Sequence, residues 1–139
     1  MSGINVGRVV VGGLVAGAVA NALDFVTNVY LMAEEWNATV ARLNLSATAM
    51  DDSTVTWIIV DFIWGLLLVF TYAAIRPRFG PGPKTAVISG LLLWLGVTLV
   101  IAGFSSMGIF TQQAFLKGSV LALVSTLVPS VVGAAIYKE

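Results

Sequence analysis

Four uninterrupted apolar runs set the limits on what this chain can become. They cover residues 6–32, 55–75, 85–104 and 114–137. Each supplies the roughly 20 residues that a helix needs to cross a hydrocarbon core of about 30 Å. Backbone N–H and C=O groups in lipid must bond within the protein, which leaves helices or a closed barrel. Barrel strands are short and alternate in polarity, whereas these runs are long and continuous. Composition points the same way, with 58% of 139 residues apolar and 10% charged, against about a quarter charged in soluble domains. The mean hydropathy is +0.97, and a soluble core of this size cannot hide that much apolar surface. The expected fold is an all-α integral membrane protein, with four transmembrane helices in an antiparallel bundle forming a single domain over residues 1–139.

The connections carry distinct chemistry. Residues 34–54 are polar and net acidic, with Glu34, Glu35, Arg42, Asp51 and Asp52. Trp36, Val40, Leu43 and Leu45 fall near helical spacing there, which predicts a short interfacial helix in the first outer loop. Asp52 or Ser53 suits the cap of the second span. The stretch RPRFGPGPK, residues 76–84, should end one helix abruptly, and Pro83 suits the first position of the next. The third connection, SSMGIFTQQ, has no charge. The excess of Lys and Arg on the cytoplasmic side then orients the chain. Arg76, Arg78 and Lys84 place the second loop in the cytoplasm, and with four spans both termini, with Arg8 and Lys138, lie there too. Only Arg42 and Lys117 remain outside. Arg8, the apolar residues 9–17 and the AVA at 18–20 also resemble a secretory signal with its cleavage site. The expectation is that this segment is kept as the first span.

Several functions are excluded or narrowed. The chain has no cysteine and no histidine, which removes disulfides, thiolate nucleophiles, imidazole bases and the usual zinc and haem ligands. No cofactor is expected, and a metal would have to be a hard cation held by oxygen. A formal net charge of zero gives no footprint for nucleic acid. The partner that composition does demand is the lipid bilayer. Gly13 and Gly17, beside Gly12, Ala16 and Ala20, form a small-residue stripe that lets helix backbones approach closely. It suits packing inside the bundle, or a homo-oligomer built through Gly13 and Gly17. Pro129 should kink the fourth span. Asn37 and Asn44 match the glycosylation acceptor pattern, which is common by chance.

The polar residues of the spans are the candidate site. Asn21, Asp24 and Asn28 are spaced i, i+3, i+7 and fall on one helical face. Asp61 stands in the second span, flanked on its face by Trp57 and Trp64. At about 1.5 Å per residue, Asp24 and Asp61 both lie roughly 10–12 Å below the outer surface, with Thr98 and Ser119 expected at similar levels. No Lys or Arg is placed inside the spans to pair with the two acids, and an unpartnered charge there costs several kcal/mol. Three arrangements answer that cost. One or both acids are protonated, the pair holds a cation, or each acid is hydrogen-bonded by Asn21, Asn28, Thr or Ser in a pocket open to the outside. The plainer alternative is polar glue between helices. Trp57 also suits an aromatic belt, Trp64 and Trp94 a core, and Trp57, Trp64 and Asp61 together a cage for an organic cation.

The Asn/Asp-bearing first span, its exit at YLMAEEW and the turn RPRFGPGPKTAVISGLLLW together resemble a group of small bacterial inner-membrane proteins classed as domains of unknown function. The resemblance covers most of the chain. It implies a multi-pass, four-helix protein of the bacterial inner membrane, and brings no activity or catalytic residues with it. The leading functional expectation is a proton, cation or small-ligand site at Asp24, Asp61, Asn21, Asn28, Trp57 and Trp64, reached from the outer side and used for transport only in an oligomer. The alternative is a non-catalytic accessory or structural subunit of a membrane complex. A two-carboxylate intramembrane enzyme is the third reading, and the weakest chemically without His, Cys or a serine motif.

Overall fold

The computed structural model describes residues 3–138, and these are helical with no strand among them. Helix α1 (Val6–Val26) runs directly into a π-helical turn, Thr27–Leu31. Two short helices follow, α2 (Ala33–Arg42) and α3 (Ala49–Asp52), and then three long ones, α4 (Thr54–Phe79), α5 (Pro83–Ser106) and α6 (Gln112–Ile136). Four helical segments are long and apolar enough to cross a membrane: Val6–Leu31, Thr54–Phe79, Pro83–Ser106 and Gln112–Ile136, with hydropathies of 1.9 to 2.3.

The helix ends follow local chemistry, with two departures from expectation. α4 does not stop at Arg76 but passes through Pro77 to Phe79. Proline fits helical φ, and although it loses its own N–H bond and crowds the carbonyl four residues back, this strains a helix without having to end it. The stop is Gly80, whose φ of 83° is a left-handed conformation that glycine adopts without strain. Pro83 opens α5 as its type suggests. Ser53 stands at the start of α4, yet its hydroxyl donates to the Met50 carbonyl (2.9 Å) and caps nothing. The side-chain caps are Asn5, which accepts from the Arg8 N–H, and Thr111, which accepts from the Ala114 N–H, both at 3.1 Å.

Packing is inverted relative to a soluble protein. The interior holds Ala16, Ala20, Ala73, Ala86 and several hydroxyls, while Leu99 and Val120 are 64% and 65% exposed. Such a surface suits lipid, where close backbone packing and interhelical hydrogen bonds replace a hydrophobic core. The α1–α4 contact is the tightest example. A methyl group added at Gly13 would lie 2.7 Å from the Leu66 Cα, and one at Gly17 would lie 2.7 Å from the Phe62 Cα. Gly65 returns the contact, facing the backbone of Gly13 and Gly17. The stripe is therefore buried inside the chain, and an oligomer built through Gly13 and Gly17 would have to displace α4. Elsewhere hydroxyls and an indole cross between helices. Ser89 donates to the Leu68 carbonyl (2.8 Å), Ser130 to the Ala86 carbonyl (2.7 Å), and Trp94 Nε1 to the Ser119 carbonyl (2.9 Å).

α2 is tied to the α5–α6 connection by polar contacts more than by the apolar residues its spacing suggested. Leu43 and Leu45 are exposed, whereas Glu35 and Thr39 are buried. The reason is charge: Lys117 Nζ donates to Glu35 Oε1 at 2.7 Å, and the Arg42 guanidinium donates to the Gly108 and Ile109 carbonyls. The Trp36 ring meets Phe110 edge to face at 6.3 Å.

The hydrogen bond from Lys117 holds the Glu35 carboxyl below the usual glutamate value. A lowered folded-state value stabilises the fold at pH above the unfolded value of about 4.3, and that contribution is lost as pH falls through the lowered value. Thermal unfolding in lipid nanodiscs should therefore show the wild type losing its advantage over Glu35→Gln as pH falls below about 4.3 and through the lowered folded-state value. Parallel curves for the two proteins would mean that the pair does not contribute.

Candidate intramembrane carboxylate site

Asn21 and Asp24 of α1 and Asn28 of the π-helical turn line one half-open cavity of about 750 Å³, to which α4 contributes Trp57, Ile58 and Asp61. α2 contributes Trp36 and Asn37, and the short α3 segment contributes Met50 and Asp51. Five of the six residues singled out in the sequence thus line the same space. Trp64 is half-buried and does not line it.

The two acids meet. Asp24 of α1 and Asp61 of α4 are neighbours in this cavity, and the Ser125 hydroxyl of α6 stands beside Asp24. Asp61 is only 7% exposed, because Gly17 and Gly65 let the two backbones close at this level. Two neighbouring carboxylates repel one another when both are ionised, and a proton or a cation between them relieves that repulsion. The third partner comes from α6, but from Ser125 and not from Ser119. The Ser119 carbonyl serves Trp94, and Thr98 does not line the cavity. The expected level was misjudged because the helices are staggered. Asp24 and Asp61 lie about 10 Å from the nearer ends of their spans, whereas Ser125 lies about 20 Å into α6. Ser125 is also the residue four before Pro129, which has no N–H to give its carbonyl.

The amides act differently from expectation. Asn21 Nδ2 donates to the Gly17 carbonyl (3.0 Å) and to the Ile58 carbonyl of α4 (3.3 Å). Asn28 Nδ2 donates to the Asp24 carbonyl (2.9 Å), and its Oδ1 accepts from Trp36 Nε1 (2.9 Å). The amides therefore set helix spacing and fix the Trp36 wall, leaving the acids to each other and to Ser125. Asn28 sits in the π-helical turn, where Met32 N–H reaches back to the Thr27 carbonyl at 2.8 Å. Such turns swing a side chain out of α-helical register and are frequent at functional sites.

The ionisable groups of the lining are Asp24, Asp51 and Asp61, and no Lys or Arg is among the lining residues. The basic groups of α2 and the start of α6 are engaged elsewhere, Lys117 with Glu35 and Arg42 with loop carbonyls. Among the described residues no group of three or more His, Cys, Asp or Glu could hold a metal ion. The arrangement can hold a proton between two carboxyls, or a cation in its place.

Comparisons with family models, with curated proteins and with solved structures find no match to this chain.

Proposed function

We propose that this chain is a small multi-pass protein of the bacterial inner membrane that binds a cation at Asp24 and Asp61 in exchange for a proton. The observation that carries this is the placing of two carboxyls from different helices, one of them only 7% exposed, in one cavity lined by acids and by no base. In the arrangement we favour, the four spans run antiparallel and both termini are cytoplasmic. The pairing of Gly13 with Leu66 and of Gly17 with Phe62, in opposite order along α1 and α4, supports opposed directions. The basic residues Arg76, Arg78 and Lys84 support a cytoplasmic α4–α5 loop. α2 then lies at the outer interface and the cavity opens outward.

Empty, the pair shares one proton and carries one negative charge. A cation that pairs with both carboxylates releases that proton. Infrared difference spectroscopy in lipid nanodiscs tests this: the empty protein should show a protonated carboxyl band that disappears on cation binding. A band that no cation alters would overturn the proposal.

A further inference from the structure

Resting on that reading, we propose that the cation is a hydrophobic organic one, held by its charge at Asp24 and Asp61 and by its apolar body against Trp57, Phe25 and Trp36. Size is the first argument. A cavity of about 750 Å³ falls in the range that takes drug-sized ligands, roughly 300–1,000 Å³, and a dehydrated metal ion would leave nearly all of it unfilled. The oxygen count is the second. Hard cations such as Ca²⁺ want about six to eight oxygens. Here the Asn28 oxygen is taken by Trp36, and among the described residues no third acidic side chain joins Asp24 and Asp61 closely enough to ligate one ion with them. The walls are the third. Phe25 and Trp57 are 57% and 58% exposed and line the cavity with Ile58 and Met50, so aromatic faces stand beside the negative charges. Aromatic faces attract organic cations, and most strongly where water is excluded. Trp36 is already fixed by Asn28 and Phe110, which makes it a preformed wall.

The exchange balances. The protonated carboxyl pair and one monovalent cation give the ion-paired complex and one free proton. The other titratable groups near the site are few. Asp51 lines the cavity from α3. From α2, Glu34 and Glu35 face a separate small cavity beside Thr111 and Gln113, with Glu35 paired to Lys117 of α6. α6 presents only the Ser125 hydroxyl, and the charged residue of α5, Lys84, lies at its far end. Loss of one proton on binding makes apparent affinity rise with pH, by up to about tenfold per unit while the pair is protonated.

The test uses tetraphenylphosphonium, its neutral analogue triphenylphosphine oxide, in which oxygen replaces one phenyl ring, and Na⁺ and K⁺. Each is titrated into the full chain in zwitterionic nanodiscs, with empty nanodiscs subtracted, following tryptophan fluorescence and proton release. Saturable, near-stoichiometric binding of tetraphenylphosphonium with about one proton released supports the inference. So does an affinity that falls about fivefold or more in Trp57→Ala and recovers in Trp57→Phe. Because Trp57 is exposed, these variants keep the test valid if an aspartate variant fails to fold. Equal binding of the phosphine oxide overturns the inference by reducing the cavity to an apolar groove. Proton release by Na⁺ or K⁺ without tetraphenylphosphonium binding overturns it while leaving the carboxylate cation site standing. No binding and no proton release by any of the four removes both.

Discussion

Gly65→Leu leaves no folded protein: α1 and α4 cannot close, and the variant elutes as aggregate in mild detergent. The physical reason is backbone contact. A Cβ at Gly65 would run into the Gly13 carbonyl and the Gly17 backbone, which cannot swing aside as a flexible side chain would. Overpacking by even small groups typically costs about 1–3 kcal/mol in a close-packed interior, so Gly65→Ala should lower the unfolding temperature clearly and leucine should exceed the total stability. Gly96→Ala is the matched control. A Cβ there meets nothing within 4 Å, and alanine favours the helix by about 0.5–1 kcal/mol relative to glycine. Gly96→Ala should therefore melt at or above the wild-type temperature. Equal melting of Gly65→Ala and the wild type would mean that α1 and α4 do not pack through these glycines.

The second large effect separates binding from stability. Asp61→Asn should fold and melt close to the wild type, while its cation affinity falls about 30-fold or more. Asparagine keeps the size of the carboxyl and supplies a donor toward Asp24, as the protonated acid does. Interhelical polar contacts in membranes average only about 0.6 kcal/mol, so the change in stability should stay within about 1 kcal/mol. Removing one partner of a buried charge pair, in contrast, typically costs about 2–5 kcal/mol of binding. Paired melting curves and tetraphenylphosphonium titrations in nanodiscs measure both quantities on one preparation. If the acids served only to hold the helices together, as the amides of Asn21 and Asn28 do, Asp61→Asn would melt lower and no cation would distinguish it from the wild type.

Much of this organisation was legible in the residues. Hydropathy sets the four spans because lipid leaves the backbone no other choice, and the glycine stripe of α1 marks a close helix contact whoever the partner is. The i, i+3, i+7 spacing of Asn21, Asp24 and Asn28 places them on one face, and equal depth brings Asp24 level with Asp61. What sequence could not supply was stagger. Ser125 lies about 20 Å from the start of α6, about twice as far as the acids lie from the nearer ends of their spans, so Ser125, and not Ser119, stands beside them. The only local signal was its position four residues before Pro129. Trp36 read as part of an interfacial helix and Asp51 as one charge of a polar connection, because their part in the cavity depends on how α2 and α3 fold back over α1 and α4. Trp64 shares a helical face with Asp61, yet a face is wider than a cavity, and Trp64 falls outside it. The end of α4 was misplaced because Pro77 only weakens a helix that Gly80 terminates.

The central claim is that Asp24 and Asp61 share one exchangeable proton, and infrared difference spectroscopy of the full chain in nanodiscs reads it directly. The wild type should show a protonated carboxyl band that shifts in deuterated buffer, vanishes as tetraphenylphosphonium saturates, and is missing from the Asp24→Asn, Asp61→Asn double variant. A band unchanged by any cation, or one that survives in the double variant, would contradict the claim.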